Sequence, residues 1–112
     1  MKVIELIGFD DFEVETIEDV KRKMMPLADK YSKIFGTENI QSFRLAIETF
    51  KKDGGKDTHE LTMSINTTKG DFRVKKQGWE LLDLVDEVES VMERQIREKK
   101  ERELKQREGR NA

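Results

Sequence analysis

Residues able to perform catalysis or hold a transition metal are few and scattered in this sequence. His59 is the single histidine, and the 112 residues include no cysteine, which excludes disulfides, zinc–thiolate sites and cysteine nucleophiles. The acidic run with Asp10, Asp11 and Glu13 lacks the regular oxygen spacing of a calcium loop. Because no nucleophile, base and orienting group can be drawn together from the sequence, we expect no enzyme, no cofactor and no bound metal.

Basic side chains are the abundant groups with a chemistry of their own. Lys and Arg number 22 against 24 Asp and Glu, charged residues make up 41% of the chain, and the net charge is −2. Residues 1–20 hold one base and seven acids, whereas residues 21–50 hold six bases and three acids. The overall balance argues against a general polyanion binder. A basic face on a folded domain stays open, because binding responds to local potential rather than to total charge.

The basic residues that we predict to contact RNA lie on two predicted helices and on the outer face of a predicted sheet. In a charge-rich protein such residues ordinarily form a solvated face; the alternative is contact with phosphates along a groove of folded RNA. The candidates are Lys21, Arg22, Lys23, Lys30, Lys33, Arg73, Lys75, Arg94, Arg97, Lys99 and Lys100.

The first elements that carry these side chains follow from local patterning. Met1–Phe9 is rich in Val and Ile, which predicts a strand. From Ile17 to Phe35 apolar residues recur every three or four positions, which predicts a helix with Thr16 as its N-cap and Gly36 as its stop. Pro26 removes one helical hydrogen bond, so we expect either a kink there or a break into two helices.

Three further strands and a long helix complete the predicted domain. Apolar and polar residues alternate in segments 42–48, 61–66 and 72–75, which predicts an antiparallel meander with one apolar face. An apolar helical stripe from Trp79 to Ile96 provides the cover for that face. The fold class is therefore α+β, in the order β-α-β-β-β-α, with two helices on one face of a four-stranded sheet.

The charged segment at the end of the chain is predicted to extend beyond this domain. Residues 1–97 form a single domain in this interpretation, and residues 98–112 form a charged helical extension. Glutamates stand four positions before bases there, which supports helix, but only Leu104 is apolar before the final Ala112. We expect the extension to fray into a disordered end from Gly109. No apolar stretch is long enough to cross a membrane, and we expect a cytoplasmic protein.

The sequence resembles a known family in its first strand and its last helix. Leu6-Ile7-Gly8 closes the strand, and Met92–Arg97 is followed by Lys99 and Lys100. With the order β-α-β-β-β-α, these segments resemble the ribosome-associated inhibitors, also called ribosome hibernation-promoting factors, over roughly residues 3–103. The resemblance implies a translation inhibitor that binds small-subunit rRNA in the decoding channel and blocks mRNA and tRNA. It also implies a short form, without the C-terminal domain that dimerises ribosomes.

An alternative function is a protein-interaction module that uses the charged C-terminal helix. The heptad pattern of apolar residues stops at Ile96, which weakens a self-paired coiled coil and favours a monomer. Under either hypothesis we expect no membrane partner and no small-molecule substrate.

Overall fold

The chain folds in the order β-α-β-β-β-α into a four-stranded mixed sheet that carries both helices on one face, which confirms the predicted α+β class. The computed structural model describes residues 4–51 and 54–110, with side chains as far as Lys105. The elements are β1 (Glu5–Ile7), α1 (Val14–Phe35), a single 3-10 turn (Thr37–Asn39), β2 (Ile40–Phe50), β3 (Thr58–Thr67), β4 (Gly70–Gly78) and α2 (Leu81–Arg110).

The strands lie in the order β1-β2-β3-β4. β1 pairs parallel to β2 through the α1 crossover, and β2, β3 and β4 form the predicted antiparallel meander. The register aligns Leu45, Met63 and Val74 in one row across the sheet. All three are buried, because alternate residues of a strand point to the same face and this face receives the helices.

The two helices run parallel to each other. Lys23 of α1 forms a salt bridge with Asp86 of α2, and Lys30, seven positions later, pairs with Glu93, also seven positions later. Both helices therefore begin at the end of the sheet that holds the β2–β3 turn. Both continue towards the β3–β4 turn, where the Lys99 Nζ donates a hydrogen bond to the Lys69 carbonyl oxygen at 2.6 Å.

The first helix differs from its prediction at its start. It begins at Val14 with Glu13 as the N-cap, so the assignment of Thr16 as N-cap was wrong. The reason is that the Ile17 amide already donates to the Glu13 carbonyl at 3.1 Å, which extends the helix into the acidic run. Its end at Gly36 is confirmed by a φ of 88°, a conformation that glycine adopts without a Cβ penalty.

Pro26 lies inside α1, which continues as one helix from Val14 to Phe35. The alternative of two separate helices was therefore wrong. Proline leaves the carbonyl four residues earlier without its amide partner, and that carbonyl belongs to Arg22. Pro26 and Arg22 are both exposed, so water can hydrogen-bond the carbonyl and the helix tolerates the residue.

The core fills the space between the sheet and the helices. Its largest fully buried side chains include Tyr31, Leu61, Met63 and Met92. Trp79, predicted as the first residue of the α2 stripe, is 68% exposed instead. It precedes α2, which begins at Leu81, and so falls outside the stripe of residues that face the sheet.

β1 lies at the start of the described chain, and α2 lies at its end. β1 is shorter than the predicted strand, of which Met1 to Val3 lie outside the described residues. Among the α2 side chains that the structure describes, Ile96 is the last that is buried, yet the helix continues through Gly109 to Arg110, about 20 Å further at 1.5 Å per residue. Asn111 and Ala112 lie outside the described residues. In the part of the chain described, no helix is long and apolar enough to cross a membrane.

Candidate RNA-binding groove

A groove lies between the C-terminal half of α1 and the middle of α2, and we call it the basic groove. It encloses about 280 Å³. Three of its side chains are cationic, one is a carboxylate, and the rest are aromatic or aliphatic. The lining residues are Lys30, Tyr31 and Ile34 from α1, and Glu93, Ile96, Arg97 and Lys100 from α2.

Helical spacing places these charges beside the core. Ile96 is buried and packs towards the sheet, and Arg97 follows it at the border between the buried and exposed faces of α2. Lys100 stands three positions after Arg97, so both side chains lie on the same side of the helix. Long basic side chains can pack their aliphatic stems on apolar neighbours and keep their charge in water. The groove therefore presents its cations at the surface.

The basic groove has an excess of positive charge. Lys30 forms a salt bridge with Glu93, which leaves Arg97 and Lys100 without a salt bridge among the described side chains. Lys33 and Arg94, each three positions from a groove residue, are also exposed and form no salt bridge there. Unpaired cations can accept a phosphate without first giving up a carboxylate partner.

The predicted basic run in the first half of α1 is neutralised by acids. All three of its side chains form salt bridges, at N···O distances of 2.9 to 3.7 Å. A phosphate would have to compete with these carboxylates for the three bases, so this run is a weaker candidate than the basic groove. The pairs are Lys21–Glu18, Arg22–Asp19 and Lys23–Asp86.

Lys99 fastens α2 to the sheet. Besides its hydrogen bond to the Lys69 carbonyl oxygen, its Nζ lies 5.3 Å from the centroid of the Phe72 ring. A cation over an aromatic face is attracted by the ring quadrupole. Both contacts hold the amine against the β3–β4 turn, so its structural role is evident in the geometry.

The outer face of the sheet holds the remaining predicted residues. Arg73 lies in one row with Ser64 and Arg44, and Lys75 forms a salt bridge with Glu60 at 3.4 Å. This face is opposite the helices. Arg73 and Lys75 are therefore separated from the basic groove by the thickness of the sheet and do not join it.

The acidic start of the chain is remote from the basic groove. Glu13 caps the beginning of α1, and Lys33 lies near its end. At 1.5 Å per residue, the 20 positions between them correspond to about 30 Å, several times the Debye length of about 8 Å at physiological salt. The carboxylates of Asp10, Asp11 and Glu13 consequently have little influence on an anion in the groove.

Tyr31 is a groove residue that belongs to the predicted apolar face of the first helix. It is fully buried, with its ring in an edge-to-face contact with Phe43. Its hydroxyl has no hydrogen-bond partner among the described residues. Burial, with a smaller contribution from the nearby Glu89 carboxylate, raises the pKa of this hydroxyl well above its usual value of 10.0.

Replacement of Tyr31 by Phe is expected to stabilise the fold by about 1 kcal/mol, because an unpartnered buried hydroxyl carries a desolvation cost. In the wild type, the raised pKa keeps the Tyr31 hydroxyl protonated in the folded state, whereas the same hydroxyl ionises near pH 10 in the unfolded state. The contribution of this group to the free energy of unfolding is therefore constant below pH 10 and decreases above it. The stability difference should therefore widen from pH 8 to pH 11. Urea unfolding at both pH values measures it; a less stable Tyr31→Phe protein at pH 8 would contradict the unpartnered assignment.

No family model and no curated protein matches this chain. Among residues 4–51 and 54–110, no group of three or more His, Asp or Glu is arranged to hold a metal ion.

Proposed function

We propose that this protein binds structured RNA of the small ribosomal subunit through the basic groove and inhibits translation by occupying the decoding channel. The observation that carries the proposal is the convergence of Arg97 and Lys100 on one groove between parallel helices, without salt bridges among the described side chains. The sequence resemblance to ribosome-associated inhibitors supplies the target.

The groove suits a phosphate backbone better than a small ligand or a base. Its cations are exposed, and neutralising phosphates releases counterions, which drives association without sequence preference. Folded RNA is commonly recognised by shape and phosphate position. The central positions of the outer sheet face, Ala46, Thr62 and Ser64, are not aromatic and offer no surface on which bases could stack.

Occlusion requires no catalytic group. A bound domain of 28 by 17 Å in cross-section would exclude other ligands from the volume that it occupies. The proposed function is therefore inhibition by position, consistent with the expectation from the sequence that the protein is not an enzyme.

Capture of the tagged protein from a cell lysate tests the proposal. Small-subunit rRNA should be enriched over large-subunit rRNA in the captured material, and the enrichment should decrease as salt is raised. Equal recovery of both rRNAs, or recovery of neither at low salt, would contradict the proposed target.

Substitution of Glu93 by Gln is expected to strengthen RNA binding about threefold, because it removes a negative charge from the groove and releases Lys30 from its salt bridge. Glu87→Gln is the matched control, since Glu87 is an exposed carboxylate nearer the start of the same helix. Filter binding to purified small subunits measures both variants. Equal changes in the two would mean that total charge, rather than the groove, controls binding.

The alternative, a protein partner on the charged extension, has less support. Of the described side chains after Ile96, Leu104 alone is apolar, and it is 57% exposed. A coiled-coil seam needs apolar residues repeated over several heptads. One leucine does not provide such a seam, so the basic groove remains the stronger candidate.

A further inference from the structure

A second groove lies on the other flank of α1, between that helix and β1, and we call it the edge groove. It encloses about 400 Å³. Its floor and walls are apolar, and two opposite charges stand at its rim. The lining residues are Ile4 and Leu6 from the β1 side, and Lys21, Met24, Met25, Ala28 and Asp29 from α1.

One ridge of α1 borders the edge groove. Lys21, Met25 and Asp29 follow one another at intervals of four residues, which places them in one row along a helix surface. Met25 is 68% exposed, although methionine is among the residue types most often buried. The ridge therefore has a cation at one end, an anion at the other and an exposed apolar side chain in the middle.

The rim charges lie at the surface, and a partner's carboxylate would compete with Glu18 for Lys21. The Lys21 side chain is 55% exposed, and its contact with Glu18 within α1 is long, at 3.7 Å. Asp29 is exposed and forms no salt bridge among the described residues. The two positions lie about 12 Å apart along the helix, and the two side chains form no salt bridge with each other.

We propose that a second copy of this chain docks on the edge groove through antiparallel packing of the two α1 helices. A two-fold axis beside Met25 would place Lys21 of each copy against Asp29 of the other. Each Met25 would then cover the apolar groove of the opposite copy. A two-fold interface requires a self-complementary patch, and a row with opposite charges at its two ends and an apolar centre has that property.

The position of the edge groove in the fold favours this occupant. β1 is an edge strand, paired only with β2, so no described element of the chain lies beyond it. Interdigitation of rows spaced by four residues on both helices is a common way for helices to pack. The basic groove lies on the opposite flank of α1, and the dimer would leave it open.

This dimer is independent of the RNA proposal. The proposed dimer contact does not involve the charged extension. The end of the apolar heptad pattern before that extension is what led us to expect a monomer from the sequence. The contact is on α1, where an isolated exposed methionine gives little indication of an interface until the helix is placed beside β1.

A charge-swap series tests the proposal by analytical ultracentrifugation of the full chain. The wild type should be in a concentration-dependent monomer–dimer equilibrium. Lys21→Asp and Asp29→Lys should each weaken the dimer at least tenfold, because each substitution places two pairs of like charges in contact across the interface. The double variant Lys21→Asp/Asp29→Lys restores opposite charges at both pairs and should recover most of the wild-type association.

Circular dichroism of each variant establishes that it is folded. Lys56→Asp, a substitution in the remote connection between β2 and β3, is the control for a change in total charge. A wild type that stays monomeric at every concentration would overturn the proposal. So would a folded double variant that associates no better than the single ones, because the opposite charges would then not be in contact. A small apolar molecule or a foreign peptide as the true occupant would give the same monomeric result.

Discussion

Replacing Arg97 and Lys100 together by glutamine is expected to weaken binding to small ribosomal subunits about 30-fold at 0.15 M salt. Each phosphate contact contributes close to one unit to the slope of log K against log salt, so the loss of two contacts should reduce the slope by about two. Neither side chain forms a salt bridge in the described structure, and both are exposed. The substitutions should therefore leave the fold intact.

A matched pair of substitutions separates this local effect from a change in total charge. Lys51 and Lys56 are exposed and flank the β2–β3 turn, at the end of the domain opposite the basic groove. Changing both to glutamine removes the same charge and should alter affinity by less than threefold. Binding of each double variant to purified small subunits over a salt series measures affinity and slope together. Equal losses in the two pairs would show that the groove has no special role.

Replacing Gly8 by alanine is expected to destabilise the fold by about 3 kcal/mol. Gly8 has a φ of +84°, where a residue with a Cβ costs about 1–2 kcal/mol. An added Cβ would also lie 2.3 Å from the Ile47 backbone carbonyl oxygen, far inside contact distance. Because that oxygen belongs to β2, the added Cβ would force either β1 or the segment between β1 and α1 to shift away from β2.

Gly54→Ala is the control for this substitution. Gly54 also has a positive φ, of 73°, but nothing lies within 4 Å of an added Cβ there. It should lose only the conformational part, about 1 kcal/mol. Urea unfolding of both variants gives the comparison. Equal losses would mean that close packing of Gly8 against β2 contributes nothing to stability.

The architecture could be predicted because its signals are local. The alternation of apolar and polar residues in β2, β3 and β4 depends on residues a few positions apart, and so do the apolar stripes of α1 and α2. The structure has the strands and helices that these two periods predict. The start of α1 could not be predicted as well. Thr16 has the chemistry of an N-cap, but Glu13 holds that position without a side-chain hydrogen bond to the helix.

The site was harder to predict because its contacts join distant residues. Lys23 pairs with Asp86, 63 positions later, and no local pattern reveals that partner. We therefore predicted Lys21, Arg22 and Lys23 as RNA contacts, whereas in the structure each of these side chains forms a salt bridge with a carboxylate.

The parallel register of the helices also determines which residues share the groove. Lys30 pairs with Glu93 at the same 63-residue offset as Lys23 and Asp86. Arg97 and Lys100 were predicted as contacts among the basic residues of the two helices, but Glu93 and Tyr31 were not recognised as groove residues. Once one interhelical pair is known, the offset places the others, so a single long-range contact would have been enough to find them.

Sedimentation of the wild-type protein with purified small ribosomal subunits tests the central claim most directly. At low salt the protein should migrate with the small subunits, and it should be released as salt is raised, because exposed cations in the basic groove would make the contacts. Migration of the protein at the top of the gradient, away from small subunits at low salt, would contradict the proposed function.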